Sequence, residues 1–222
     1  ALMYSFNQRK ECTIIDEPFY ACYLRDTGLA HPGREEILKS QFNDFDDVFN
    51  LIEEKKTQSK ELFIKNMAHH FESIPSDWIL KWKNVFLVRE PSLVIESYVK
   101  QIENPELIDL GYKKIFELIK MLKSLNGSYY IIRSEDIVND PKKALTTLCE
   151  FCDINFDELM LKWSPGKRNE DGVWAKYRYS NVHKSTGFLP FENRNVQLPK
   201  HLEQLYLDCK YFFDLILEEK NH

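Results

Sequence analysis

The chain has 222 residues, 43% of them hydrophobic and 29% charged, and this composition predicts one globular domain over residues 1–222 with a full core. A formal net charge of −5 argues against a general nucleic-acid binder, because affinity for the phosphate backbone requires many basic side chains on one face. Every apolar stretch is shorter than the ~18 residues of a membrane span, so we expect no membrane partner either.

The first residues, ALMYSFNQRK, have an apolar helical pattern and no initiator Met, so they resemble the interior of a structural element. Four short β-rich runs follow, and each is continuously apolar, as in strands buried on both faces. They are CTIID (12–16), LFIKN (62–66), NVFLVR (84–89) and YYIIR (129–133). Segments with helical spacing separate them, at 46–56, 91–102 and 109–125, and Gly127 is expected to stop the last of these.

This alternation of strands and helices predicts an α/β fold, a three-layer structure in which a parallel β-sheet is flanked by helices on both faces. In such sheets, ligands bind at the carboxyl ends of the strands. Residues 164–199 contain aromatic and turn residues without a clear period, which indicates a lid-like segment. An amphipathic helix is predicted over residues 200–218.

A charged residue, Arg89, stands at the end of the third predicted strand. Pro91 disfavours helical geometry at Glu90 and suits the first position of a helix, so a helix should begin at once. Ser97 lies on this helix, and Arg89 and Ser97 can converge on one phosphate, with charge from the arginine and a neutral hydrogen bond from the serine. The structural alternative is an ion pair between Arg89 and a local carboxylate, Glu90 or Glu96.

Three segments resemble motifs of the sulfotransferase family and occur in the family's order. VFLVREPSLVIESY (85–98) resembles the 3′-phosphate-binding motif, an apolar strand and Arg followed by a helix with Ser and Tyr. LFIKNMAHHFESIP (62–75) resembles the strand that ends in Lys before His and Pro, and IIRSEDIVNDPKKALTTLCEFCDINFD (131–157) resembles the later Glu-Asp and Asp-Pro segment. DEPFYACYL (16–24) and STGF (185–188) are similar to signatures of a bacterial-type subgroup labelled aminotransferase-like.

The resemblance implies a P-loop NTPase-like fold that binds 3′-phosphoadenosine-5′-phosphosulfate and transfers its sulfuryl group to a hydroxyl or amine of a small-molecule acceptor, without a metal. Arg89 and Ser97 would hold the 3′-phosphate, Lys65 would also contact this co-substrate, and Lys184 or Ser185 would close over it. The family's phosphosulfate loop should precede the first helix, and ALMYSFNQR resembles that helix without its loop. We therefore expect that the N-terminal strand and the phosphosulfate loop are missing from the chain.

Sulfuryl transfer requires a base for the acceptor proton and positive charge near the leaving phosphate. Glu17, directly after the first strand, resembles the glutamate base of some carbohydrate-type sulfotransferases. His69 and His70 follow the second strand, where cytosolic members place a histidine soon after the lysine. In this chain the residue two positions after Lys65 is Met67, so the base stays open among Glu17, His69 and His70.

Other functions compete with this interpretation. A nucleotide phosphotransferase on the same P-loop fold would need a Gly-Lys-Ser/Thr loop and an Asp for magnesium, whereas a non-catalytic relative would retain nucleotide binding alone. An aminotransferase is not supported, because no segment resembles a pyridoxal-phosphate lysine site. The five cysteines, an odd number, predict reduced thiols and a cytoplasmic location.

Overall fold

The computed structural model describes residues 1–72, 74–100, 102–189 and 196–220. The chain forms two compact units, each made of two separate pieces of sequence. The first unit consists of Ala1–Ser73 and Phe156–Leu189, and the second consists of Ile74–Asn155 and Pro190–His222. No helix in the described ranges is both long enough and apolar enough to cross a lipid bilayer.

All four predicted strands are present, and their ends differ from the prediction by at most one residue. They are β1 (Cys12–Asp16), β2 (Glu61–Lys65), β3 (Asn84–Val88) and β4 (Tyr129–Arg133). β1 pairs with β2 in parallel within the first unit, and β3 pairs with β4 in parallel within the second. The prediction of an α/β fold with parallel strands is therefore confirmed, whereas one continuous three-layer sheet stays a prediction.

Helices make up most of the remaining described structure. They are α1 (Leu2–Phe6), α2 (Tyr20–Thr27), α3 (Arg34–Ser40), α4 (Phe45–Gln58), α5 (Ser76–Ile79), α6 (Pro91–Tyr98), α7 (Leu107–Leu110), α8 (Tyr112–Ser124), α9 (Ser134–Asn139), α10 (Pro141–Phe151), α11 (Ala175–Arg178), α12 (Ser180–Lys184) and α13 (Glu203–Glu219). Short 3₁₀ turns occur at Ala68–Phe71, Glu158–Leu161 and Lys200–Leu202.

The strands are less buried than their continuous apolar character predicts. Every residue of β2 is only half-buried, and Leu87 of β3 is 46% exposed. The hydrophobicity of a strand limits how much apolar surface it can bury. The burial that is observed also depends on how many helices or strands pack on each face.

Two helix boundaries differ from the predicted ones because single residues there adopt a positive φ. The helical pattern at 109–125 is divided at Gly111, whose φ of 74° lies in the left-handed region. The residue that turns the chain after α8 is Asn126, with φ of 54°, rather than Gly127. Gly127 instead donates its backbone N–H to the carbonyl of Leu122 at 2.7 Å.

The core of the second unit lies where α8 and α13 pack near β3 and β4. Its buried members are Val88, Tyr112, Ile119, Ile131, Cys209, Phe213 and Ile216. The last three lie on the face of the C-terminal helix that its apolar spacing predicts to be buried. This core also fixes the end of β3, because the Tyr112 hydroxyl donates a hydrogen bond to the carbonyl of Arg89 at 2.9 Å.

The first unit has its own core around α2 and α3. Its buried members are Tyr20, Ala21, Tyr23, Leu24, Ile37 and Trp174. Trp174 belongs to the expected lid-like segment, yet its side chain is only 1% exposed and packs edge-on against Tyr20. The described part of that segment up to Leu189 thus contributes to the first unit, and residues 190–195 lie outside the described residues.

Replacing Ile119 by alanine should lower the free energy of unfolding by about 2–5 kcal/mol, because the fully buried side chain leaves a cavity. Ile108→Ala is the matched control, since Ile108 is 53% exposed and should cost less than about 0.5 kcal/mol. Urea unfolding followed by circular dichroism measures both changes. Equal losses in the two variants would contradict the core described for the second unit.

Candidate functional site

Charged side chains meet at the carboxyl ends of β1 and β2. The parallel register pairs Asp16 with Lys65, and Glu17 follows at once. The Lys65 ammonium donates hydrogen bonds to Glu17 Oε1, to Asp16 Oδ1 at 3.2 Å and to the Tyr179 hydroxyl at 2.7 Å. We call Asp16, Glu17, Lys65 and Tyr179 the Lys65 cluster. Two buried carboxylates share one cation in this cluster.

Glu17 occupies an unusual backbone conformation. Its φ of 44° lies in the left-handed region, which a residue with a Cβ adopts at a cost in strain. Hydrogen bonds to its backbone hold it there: its N–H donates to the carbonyl of Lys65 at 2.7 Å, and its carbonyl accepts from the Tyr20 N–H and from Gln41 Nε2, both at 3.1 Å. The side chain is buried, and Oε2 has no hydrogen-bond partner among the described residues.

Both carboxylate oxygens of Asp16 accept hydrogen bonds. Besides Lys65, its carboxylate accepts hydrogen bonds from the Tyr179 hydroxyl at 2.8 Å and from the backbone N–H of Gly172 at 3.2 Å. Burial raises the pKa of Asp16 above its ordinary value, and Lys65, Tyr179 and Gly172 oppose that rise. These donors therefore favour the charged carboxylate in a place where burial disfavours it.

Lys65 responds to the same environment in the opposite sense. Burial disfavours its charge, but the carboxylates of Glu17 and Asp16 outweigh burial and raise the pKa of Lys65 above its ordinary value. The ammonium is thus charged at neutral pH, and its side chain keeps 28% of its surface exposed. A charged lysine of this kind can stabilise negative charge that develops on a phosphate.

The two candidate histidines lie in the 3₁₀ turn after β2, and both are buried. The ring of His70 stacks on Tyr20, with centroids 4.7 Å apart, and the ring of His69 packs edge-on against His70. Neither ring nitrogen of His70 has a hydrogen-bond partner among the described residues. Burial, assisted by His69 and Lys65, lowers the pKa of His70 well below its ordinary value, so its imidazole is neutral at neutral pH.

Tyr20, on which His70 stacks, is itself fixed by polar contacts. Its hydroxyl accepts a hydrogen bond from the Arg178 guanidinium at 3.0 Å and lies 2.9 Å from Nδ1 of His31. Arg178 directly precedes Tyr179 in sequence. Two consecutive residues of one segment therefore contact Tyr20, on which His70 stacks, and the Lys65 cluster.

Lys184 and Ser185, expected to close over a bound co-substrate, have different surroundings. Ser185 is buried, and its hydroxyl accepts from Trp163 Nε1 at 3.0 Å and donates to the carbonyl of Val182 at 2.7 Å. Lys184 is exposed. The serine hydroxyl is thus used in packing the first unit, and the lysine side chain lies in solvent.

The predicted phosphate-binding pair belongs to the second unit. Arg89 follows β3 directly and is half-buried, and Ser97 is exposed on α6. This helix begins at Pro91, as the sequence predicts. In the described part of the chain, Arg89 forms no salt bridge with Glu90 or Glu96, which were the carboxylates of the structural alternative.

The neighbouring strand offers a comparison for Arg89. Arg133 ends β4, and its Nε lies 3.5 Å from Oε2 of Glu135. The register pairs Arg133 with Val88, the residue before Arg89. Two arginines therefore reach the same edge of this two-stranded sheet, and Arg133 has a carboxylate beside it.

Comparison with known proteins places these features in a family. The family model described as "Sulfotransferase domain" matches residues 1–207. The chain belongs to the sulfotransferase domain family. The predicted membership in the sulfotransferase family is thereby confirmed. A sulfotransferase domain is a transferase.

This sulfotransferase domain is similar to two curated proteins of Arabidopsis thaliana, Branched-chain-amino-acid aminotransferase-like proteins 1 and 2. The identities are 32% over 189 residues and 33% over 188 residues, which covers 85% and 84% of the chain. The chain spans about a third of the length of each relative, since the matches cover 34% of both.

A solved structure shares the fold of this sulfotransferase domain. It is the Sulfotransferase Domain from the Synechococcus PCC 7002 Olefin Synthase, which superposes with a TM-score of 0.53. The match covers 87% of this chain and 74% of that one at 20% identity, so the likeness concerns the fold alone.

Motifs in the sequence point to Glu17 and Lys65 but not to two of their partners, Asp16 and Tyr179. Asp16 is the last residue of a strand and the first of the DEPFYACYL signature, and neither pattern predicts its contact with Lys65, although an Asp-Glu pair at a strand end is a visible signal. Tyr179 is one of several aromatic residues in the lid-like segment. It lies 114 residues after Lys65 in sequence, and no local pattern connects positions so far apart.

Replacing Lys65 by methionine should lower the free energy of unfolding by about 3–5 kcal/mol at pH 7, because two buried carboxylates lose their cation. Burial already raises the pKa of Asp16 in the folded state, and loss of Lys65 raises it further, so the folded state binds more protons as the pH falls and the deficit shrinks. Urea unfolding at pH 7 and pH 5 measures this trend.

Lys60→Met is the matched control, since its ammonium contacts Glu11 on the surface and its side chain is 73% exposed. Loss of a surface pair should cost less than about 1 kcal/mol at either pH. A Lys65→Met deficit as small as this, or one that does not shrink at pH 5, would contradict the description of a buried charge cluster.

Proposed function

We propose that this sulfotransferase domain moves a sulfuryl group from 3′-phosphoadenosine-5′-phosphosulfate to a hydroxyl or amine of a small-molecule acceptor. Glu17 acts as the base, Lys65 stabilises the leaving phosphate, and Arg89 and Ser97 hold the 3′-phosphate. Family membership supports the class of reaction, and the surroundings of these residues support the individual roles.

The observation that carries the proposal is the asymmetry between the carboxylate oxygens of Glu17. Oε1 accepts from Lys65, whereas Oε2 is buried without a hydrogen-bond partner among the described residues. An unsatisfied buried acceptor costs free energy, and an acceptor hydroxyl or amine would satisfy it. The left-handed backbone at Glu17 supports the same role, because such strain is concentrated at functional sites.

Glu17 is a better candidate for the base than either histidine. His70 has a strongly lowered pKa, so it would accept a proton only weakly, and its ring is stacked on Tyr20. His69 is equally buried and packs against His70. We infer that both histidines pack in the aromatic core with Tyr20 and Tyr23 and do not take the proton.

In the proposed reaction, an electron pair on the acceptor oxygen or nitrogen attacks sulfur. The bond between sulfur and the oxygen of the 5′-phosphate breaks, and that oxygen keeps the electron pair. The acceptor proton passes to Glu17. Lys65 lies beside this carboxylate and offers positive charge as negative charge grows on the phosphate.

The support for 3′-phosphate binding comes from the charge of Arg89. Its guanidinium is half-buried and, among the described residues, lies in no salt bridge, in contrast to Arg133 with Glu135. A half-buried cation of this kind favours an anionic ligand, and a guanidinium suits phosphate geometry. The exposed hydroxyl of Ser97 would add a neutral hydrogen bond.

Turnover and binding measurements on the full-length protein test this function. With a ³⁵S-labelled donor and pools of small phenols, alcohols and amines, we expect a labelled product and release of 3′-phosphoadenosine-5′-phosphate. Calorimetry should show that this bisphosphate binds more tightly than Mg-ATP. Tighter binding of Mg-ATP would favour a nucleotide phosphotransferase, and bisphosphate binding without turnover would favour a non-catalytic relative.

Arg89→Ala should weaken binding of 3′-phosphoadenosine-5′-phosphate by about 2 kcal/mol or more, because a charge-assisted contact to phosphate is lost. Ser97→Ala should cost less, since it removes a neutral hydrogen bond. Arg133→Ala is the matched control, and its affinity should stay within about twofold of wild type, since Glu135 already neutralises that arginine. If calorimetry finds unchanged affinity in Arg89→Ala, the phosphate-binding role is wrong.

Glu17→Gln should lower turnover by at least ~100-fold with little change in bisphosphate affinity, as expected for loss of a general base. His69→Asn and His70→Asn, assayed alongside, should retain more activity than Glu17→Gln. Full activity in the glutamine variant together with loss in a histidine variant would assign the base to that histidine.

A further inference from the structure

We propose that Tyr179 is a positioning residue of the sulfuryl-transfer site, which orients the Lys65 ammonium by a direct hydrogen bond while it holds Asp16. The inference rests on the proposed function and adds to it a residue from a distant part of the chain. Tyr179 acts through Lys65 and contacts neither donor nor acceptor in this scheme.

The hydroxyl of Tyr179 is placed between the two charged partners. It accepts a hydrogen bond from the Lys65 ammonium at 2.7 Å and donates to the Asp16 carboxylate, both of whose oxygens lie at 2.8 Å. A lysine ammonium sits on a flexible stem and can rotate among partners. With Glu17, Asp16 and Tyr179 as acceptors, its direction is fixed.

The segment that carries Tyr179 is anchored at two residues that precede it. Gly172 donates its backbone N–H to Asp16 at 3.2 Å, and the guanidinium of Arg178 donates to the Tyr20 hydroxyl at 3.0 Å. Tyr179 is therefore held by contacts before it in the chain as well as by its own hydroxyl. A side chain anchored in this way is suited to positioning another group.

Loss of the hydroxyl leaves the ammonium with only the two carboxylates as acceptors in the cluster. Lys65 would then turn toward Asp16 and Glu17 and away from a leaving phosphate. The chemical step should suffer, whereas donor binding should not, because Arg89 and Ser97 are proposed to hold the 3′-phosphate. This distinction separates positioning of Lys65 from a general loss of structure.

The test is Tyr179→Phe, which removes the hydroxyl and keeps the ring. We expect kcat to fall about tenfold or more, as for a lost hydrogen bond to a charged group, while the donor KM stays within about twofold. Tyr177→Phe is the matched control on the same segment, since Tyr177 is 42% exposed, and it should retain wild-type kcat. A Tyr179→Phe variant with wild-type kcat overturns the proposal, and so does an equal loss in Tyr177→Phe.

The pH dependence of kcat gives a readout that a purely structural role would not move. Asp16 is faced by Lys65, Glu17, Tyr179 and the Gly172 N–H, and the Tyr179 hydrogen bond lowers the pKa of Asp16. Without that bond the pKa of Asp16 rises, so Asp16 becomes protonated at a higher pH. Protonation of Asp16 removes one of the acceptors that orient Lys65, so activity should be lost at a higher pH in Tyr179→Phe than in wild type. An unmoved profile contradicts the proposal.

A measurement without turnover separates this inference from the proposed function. Acetic anhydride should acetylate Lys65 at least about threefold faster in Tyr179→Phe than in wild type, with Lys60 as internal reference, because the ammonium loses a partner that favours its charged form. If the wild type transfers no sulfuryl group, the proposed function fails and the acetylation rate alone decides the role of Tyr179. An unchanged rate overturns that role.

Discussion

The pairing of one lysine with two buried carboxylates is the constraint on which the first unit depends. Asp16 and Glu17 could not be buried as charged groups without Lys65, and Lys65 could not lose solvent without them. The parallel register of β1 and β2 brings these residues together at one edge. The left-handed turn at Glu17 then directs its carboxylate to the cation, while Oε2 has no hydrogen-bond partner in the described part of the chain.

The secondary structure and part of the site followed from local sequence. The strands at 12–16 and 129–133 were predicted with their observed ends, because continuous runs of β-branched and aromatic residues are a local signal. Glu17 and Lys65 were predicted because their segments resemble sulfotransferase motifs. Arg89 was predicted because it ends a strand, where parallel sheets gather ligand-binding groups, and because a helix begins at Pro91.

What the sequence did not reveal depends on contacts between distant residues. The division of a helical pattern at Gly111 is decided by the backbone conformation of one residue, which a hydrophobic period does not register. The burial of Trp174 could not be predicted, because its segment has no hydrophobic period and the residue is buried by packing against α2. The sequence does not indicate which of Arg89 and Arg133 forms an ion pair, because a glutamate follows each of them within two residues.

The sequence separation within the Lys65 cluster has a consequence for the order of folding. Asp16 and Tyr179 are 163 residues apart, and the whole of Ile74–Asn155 is synthesised between the two pieces of the first unit. Asp16, Glu17 and Lys65 are therefore synthesised well before the tyrosine that bridges them. Contacts between residues so distant in sequence form slowly. The cluster can form only after all of Ile74–Asn155 has been synthesised.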